Sequence, residues 1–117
     1  RALQTDIAAV RLWASVSLAE AGVTSAAKAD LAASQLLISL QIDSEPVVRS
    51  NCIWSLCQLL EHLVESRCQE VVEAFVNALM HDQDASVRDE ARAALEQQES
   101  PEVLERLQTL VDEGLIA

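Results

Sequence analysis

The stretch Asp43-Ser44-Glu45-Pro46-Val47-Val48-Arg49 returns 39 residues later as Asp82-Gln83-Asp84-Ala85-Ser86-Val87-Arg88. A third Val-Arg pair, Val10-Arg11, precedes the Val48 pair by 38 residues. Each pair is followed, at the same offsets, by a small residue and then by a leucine, namely Ala14 and Leu18, Cys52 and Leu56, and Ala91 and Leu95. Matched copies at one period of about 40 residues indicate an internal structural repeat.

The residues that follow each valine have the pattern of an amphipathic helix. Offsets 0, 4, 7 and 8 from the valine lie within about 100° of one another on a helix, so they form one apolar stripe with a small residue for close contact. This pattern predicts helices near residues 6–21, 44–63 and 85–97. The segments between and after them have apolar patterns of their own, which predict further helices at 24–41, 66–81 and 101–113.

This arrangement resembles the HEAT repeat family, in which antiparallel helix pairs of about 40 residues stack into a solenoid. The resemblance covers nearly the whole chain. It implies an all-α fold, a HEAT-type alpha-alpha superhelix of about three repeats and six helices. We expect one domain over residues 1–117, with repeats at approximately 1–23, 24–64 and 65–99 and a further helix at 100–114.

The resemblance also implies a structural ladder between neighbouring repeats. In the family, the Asp before the second helix and the Arg six residues later form this ladder, which implies roles for Asp43 with Arg49 and for Asp82 with Arg88. The first copy departs from the pattern because Thr5 stands where the Asp is expected.

Charge narrows the classes of partner. The formal net charge is −11, and residues 61–117 hold 14 acidic and 4 basic residues. Nucleic acids and anionic membranes bind proteins largely through Lys and Arg, so we expect neither as a partner. The three cysteines fit a reducing cytoplasm better than a disulfide framework. The chain starts at Arg1 rather than Met, which suggests a fragment or a processed product.

The sequence holds no specific catalytic or metal-binding pattern, so we expect no enzyme activity and no cofactor. His62 and His81 have no Cys at a spacing that would place two metal ligands on one helical face. Arg49 and Arg88 recur with the repeat, which favours a structural role over an anion site. Cys52 aligns with alanines and is expected to be a small buried residue.

The helix face opposite the apolar stripe is where a repeat protein binds its partner. Offsets 2, 3, 6 and 9 from each valine select this face, which changes from apolar to acidic along the chain. The partner-binding residues predicted there are the apolar Leu12, Trp13, Val16 and Trp54 and the acidic Asp89, Glu90 and Glu96. An alternative is that Trp54 packs inward between repeats. The apolar first helix needs a cover, for which earlier repeats, a second copy of the chain or another protein are the candidates.

These features predict a cytoplasmic scaffold module that binds another protein or peptide, with the acidic rim favouring a basic one. A second hypothesis is an enzyme or chaperone subunit resembling bilin lyases, whose HEAT-like repeats bind a tetrapyrrole and a phycobiliprotein, and only the shared repeat class supports it. A third is a spacer within a longer array.

Overall fold

The computed structural model describes residues 26–117, and these residues form helices joined by short loops. The helices are α1 (Ala26–Ile42), α2 (Pro46–Leu59), α3 (Glu65–His81), α4 (Ala85–Gln97) and α5 (Pro101–Asp112), with a 3₁₀ turn at Leu60–His62 after α2. The part of the chain that the structure describes contains no strand. The all-α prediction is confirmed, and five of the six predicted helices are seen; the first, at 6–21, lies outside the described residues.

Consecutive helices pack as hairpins, and the hairpins stack side by side. α1 packs along α2 and α3 packs along α4, while α2 also packs against α4. The shorter α5 lies against α4. The second helices of the two hairpins therefore form one layer, and α1, α3 and α5 form the outer layer of an alpha-alpha solenoid.

The apolar stripe found in the sequence is the core of this stack. Equivalent positions of α2 and α4 are fully buried, namely Val48 and Val87, Cys52 and Ala91, and Leu56 and Leu95. Phe75 of α3 and Leu36 of α1 fill the space between the layers. Truncating one of the large side chains, such as Leu56 to Ala, is expected to cost about 2–5 kcal/mol because the packed neighbours cannot close the cavity.

The loops before α2 and α4 share one local design. The side chain of Asp43 accepts a hydrogen bond from the backbone N–H of Glu45 at 2.9 Å, and that of Asp82 accepts one from Asp84 at 2.9 Å. Each bond tightens the turn in which the chain reverses between the helices of a hairpin. The repeated acidic lead-in of the sequence is thus a repeated turn.

Candidate functional site

An ion pair between Arg49 and Asp82 joins the two hairpins. Arg49, in the first turn of α2, donates from Nε to Asp82 Oδ2 at 2.8 Å and from Nη2 to Asp82 Oδ1 at 3.0 Å. Both side chains are largely withdrawn from solvent, with exposed fractions of 13% for Arg49 and 7% for Asp82. Two parallel hydrogen bonds are the strongest arrangement for a guanidinium and a carboxylate. The pair therefore fixes how α2 lies against the loop that precedes α4.

Within a repeat, each arginine meets its own aspartate through the backbone. Arg49 Nη1 donates to the carbonyl oxygen of Asp43 at 2.8 Å, and Arg88 Nη1 donates to that of Asp82 at 2.7 Å. The family resemblance names these two Asp-Arg pairs without saying which atoms meet. In the structure, the carbonyl contact lies within a repeat and the carboxylate contact lies between repeats.

The charges of this cluster support one another. Burial alone would raise the pKa of Asp82, but hydrogen bonds from Arg49 and from the Asp84 backbone, together with the nearby charges of Arg49 and Arg88, hold that pKa below its ordinary value. The hydrogen bond to Asp82 in turn raises the pKa of Arg49. Both groups therefore stay charged at neutral pH, as a partly buried ion pair requires.

A second set of contacts between repeats lies on the outer layer and is missing from the sequence-based predictions. Arg67 of α3 reaches α1, where Nε donates to Asp30 Oδ1 at 2.9 Å and Nη2 donates to Ser34 Oγ at 2.8 Å. Arg106 of α5 reaches α3 in the same way and contacts the carboxylate of Glu73. Lys28, Arg67 and Arg106 are each 39 residues apart, so the repeat period itself could have revealed this set.

The predicted apolar anchors fall partly within the structure. Leu12, Trp13 and Val16 lie outside the described residues, whereas Trp54 lies on α2 with 47% of its surface exposed. That exposure leaves little room for the alternative in which Trp54 serves only the core. Val47, which the sequence analysis did not select, lies seven residues before Trp54 and is also exposed. Residues seven apart share a helical face, so the two form an apolar edge on α2.

The predicted acidic rim lies on the adjacent helix. Asp89 and Glu96 are exposed on α4, and Glu90 is partly buried. Glu90 lies close enough to Cys57 of α2 for its charge to add to the burial that raises the pKa of that thiol to about 11. Because Cys57 lies three residues after Trp54, the acidic residues of α4 lie beside the apolar edge of α2. We call the surface formed by Val47, Trp54, Asp89, Glu90 and Glu96 the α2–α4 face.

Nucleophilic and metal-binding groups are sparse in the described part of the chain. Burial raises the pKa of Cys52 to about 12, against a smaller opposing effect of its hydrogen bond with Ser39. Burial also raises the pKa of Cys68. Thiols of this kind react slowly because the thiolate is the nucleophile. Among residues 26–117, no group of three or more His, Cys, Asp or Glu side chains could hold a metal ion, and no helix there is long and apolar enough to cross a membrane.

Comparison with known proteins supports the repeat interpretation. A family model described as HEAT repeats matches residues 33–115. That span contains most of α1 and all of α2 to α5. A search of curated proteins found no match to this chain.

Proposed function

This chain belongs to the HEAT repeat family, and from that premise we propose that it is a non-catalytic module that binds a basic, amphipathic segment of another protein on its α2–α4 face. HEAT repeats generally serve as scaffolds for protein interactions. The proposal therefore adds the location of the surface and the chemistry of the partner.

The exposed Trp54 is the observation that carries the proposal. Its counterpart one repeat later is Ala93, so the fold does not require an aromatic side chain at this position. Selection for stability alone gives no reason to leave a tryptophan half in water, whereas partly exposed tryptophans frequently become the central anchors of protein interfaces. Val47 extends the apolar edge by two helical turns.

The acidic side chains of α4 decide the sign of the partner's charge. Asp89 and Glu96 are exposed, and Arg92 lies only 3.9 Å from Glu96 at its nearest approach. The whole chain carries −11, so a basic segment is attracted before contact and an acidic one is repelled. Apolar contact with Trp54 then supplies the short-range part of the affinity.

The test uses two synthetic helical peptides of equal length with the same leucine face. One carries lysine on its polar face and the other carries glutamate. We expect the lysine peptide, followed by fluorescence anisotropy in about 0.15 M salt, to bind at least tenfold more tightly than the glutamate peptide. Trp54→Ala should weaken the lysine peptide by about tenfold or more, the loss typical of a hot-spot residue.

Ile38→Ala is the matched control, because Ile38 is 46% exposed but lies on α1 in the other layer. This variant should bind the lysine peptide as the parent does. Trp54→Ala should also retain the melting temperature to within a few degrees, since half of that side chain is already in water. Equal binding of both peptides, or no effect of Trp54→Ala in a folded protein, would refute the proposal.

A further inference from the structure

Arg49 and Arg88 occupy equivalent places in consecutive repeats, but only one of them is fully engaged. Each donates Nη1 to the carbonyl oxygen of the aspartate six residues earlier, at 2.8 and 2.7 Å. These bonds orient both guanidinium groups alike, with Nε and Nη2 facing away from their own repeat. Arg49 uses those two donors to bind the Asp82 carboxylate.

The same two donors of Arg88 have no acceptor among residues 26–117. The Asp82 carboxylate is near enough for the charge of Arg88 to help lower its pKa, but it is already bound by Arg49. Partly buried guanidinium donors without a partner are costly, since they lose water without a replacement hydrogen bond. Arg88 is thus set up for an acceptor that the described residues do not supply.

A cleft of about 360 Å³ opens beside Arg88. Its walls include the apolar side chains of Leu79, Met80, Leu115 and Ile116, and Arg92 lies on its rim. Arg92 is partly committed, because its Nη1 donates to the carbonyl oxygen of Ala117 at 3.1 Å. The cleft therefore combines one available guanidinium fork with walls that exclude water from a bound side chain.

We propose that this cleft, which we call the Arg88 cleft, binds an aspartate or glutamate side chain of another polypeptide. The carboxylate accepts from Nε and Nη2 of Arg88, as the Asp82 carboxylate accepts from Arg49. Apolar groups next to that carboxylate contact Leu79, Met80, Leu115 and Ile116. This site is separate from the α2–α4 face, and its ligand has the opposite charge.

The charges around the cleft favour a carboxylate over a phosphate group. Asp82 and Asp89 also line it, so a dianion would meet two negative charges for each cationic fork. A carboxylate carries one charge and matches the two parallel donors in shape. The chain's net charge of −11 opposes any free anion at long range, which favours a carboxylate delivered with apolar neighbours.

The direct test is to observe the Nε–H resonances of the arginines by NMR while a peptide is added. The probe is the peptide Leu79–Ala85 with Asp84→Asn, acetylated and amidated, which offers one carboxylate beside Leu and Met. We expect the Arg88 resonance to shift and saturate, whereas the Arg49 resonance, already bound to Asp82, stays in place. The same peptide with Asp82→Asn should bind at least tenfold more weakly.

Two variants separate the fork from its charge. Arg88→Lys keeps the charge but loses the parallel donors, and we expect it to lower peptide affinity at least tenfold. Arg106→Gln, which changes an exposed arginine of α5, should leave the affinity unchanged. Equal binding of the Asp and Asn peptides, or no saturation up to about 10 mM, would overturn the proposal.

Sedimentation of the whole chain identifies the source of the carboxylate. If a second copy supplies it, the mass rises with concentration and Arg88→Gln abolishes the rise. If the chain stays monomeric while the peptide saturates Arg88, the carboxylate belongs to a different protein. Association that survives Arg88→Gln, together with failure of the peptide to bind, shows that the cleft is not a carboxylate site.

Discussion

Arg49 and Asp82 show how burial sets the value of a single ion pair. Arg49→Gln leaves the nearly buried Asp82 carboxylate without its main partner, and we expect the free energy of unfolding to fall by about 1–3 kcal/mol. Arg106→Gln is the matched control, because Arg106 and Glu73 are both exposed and such pairs contribute only about 0–1 kcal/mol. Urea unfolding of both variants measures the difference. Equal losses would mean that burial does not matter here.

The lowered pKa of Asp82 predicts a specific response to acid. The folded state holds the charged form more firmly than the unfolded state, where the pKa is about 3.9. The stability from this carboxylate is therefore complete above that pH and is lost as the pH falls through the lower folded pKa. Melting temperatures from pH 7 to pH 2 should show the gap between the parent and Asp82→Asn narrowing below about pH 4. Parallel curves would contradict this.

Two buried serines make opposite predictions. The Ser55 hydroxyl is fully buried and finds no hydrogen-bond partner among the described residues, and its counterpart in the next repeat is Ala94. We expect Ser55→Ala to stabilise the fold by about 1 kcal/mol, because an unsatisfied buried hydroxyl is costly. Ser39 shares a hydrogen bond with Cys52, so Ser39→Ala should destabilise by about 0.5–1.5 kcal/mol. Thermal unfolding of the two variants distinguishes them by sign.

At the scale of the element, the starts of α2 and α4 form a natural comparison. Asp84 caps α4 by accepting from the backbone N–H groups of Ser86 at 2.9 Å and Val87 at 3.2 Å. Glu45 holds the same position before α2 and makes no such side-chain bond. Asp84→Ala should therefore cost about 0.5–2 kcal/mol, and Glu45→Ala close to nothing. A comparable loss from both, in chemical denaturation, would show that the cap contributes little.

The helices were predictable because each repeat states its apolar stripe anew. Val48, Cys52 and Leu56 mark the same buried face as Val87, Ala91 and Leu95, and three aligned copies reduce the ambiguity of any one. The end of α2 is less regular. It passes into a 3₁₀ turn at Leu60–His62, where a single continuous helix to residue 63 was expected. Tertiary packing decides such ends, and a periodic pattern does not record it.

The candidate site was predictable only in part. The positions of Arg49 and Asp82 follow from the repeat, but which carboxylate meets which guanidinium depends on how hairpins stack. Val47 escaped notice because it lies one residue before the alignment valine, at an offset that the sequence analysis did not test. Arg67 and Arg106 escaped because only the second helices were aligned, although the spacing was there.

Across the whole molecule, the outer layer differs from one helix to the next. Leu31, Ile38 and Ile42 are exposed on α1. The residues 39 positions later on α3 are Glu70, Asn77 and His81, which are also exposed but polar. The fold thus places both sets on the solvent side, and the apolar character of α1 is a property of its sequence rather than of its place in the solenoid.

The uneven charge leads to a prediction about salt. The chain has 19 acidic and 8 basic residues, with most of the excess in residues 61–117, so its folded form concentrates like charges. Salt weakens exposed pairs such as Arg106 with Glu73, but these contribute only about 0–1 kcal/mol each. Relief of repulsion should prevail because the acidic residues outnumber the basic ones. We therefore expect the melting temperature to rise by a few degrees when the Debye length falls from about 30 Å to about 10 Å.

Removing two of the repelling charges provides the control. Glu105 and Glu113 are exposed on and just after α5, and Glu113 also lies at the helix C-terminus, where a negative charge opposes the helix dipole. Glu105→Gln combined with Glu113→Gln should raise the melting temperature in low salt and flatten its rise with added salt. A melting temperature that falls with salt in the parent would reverse the balance, because exposed ion pairs such as Arg67 with Asp30 would then outweigh the repulsion among the remaining acids. The Arg49 and Asp82 pair should respond least to salt, since its atoms are largely shielded from the ions.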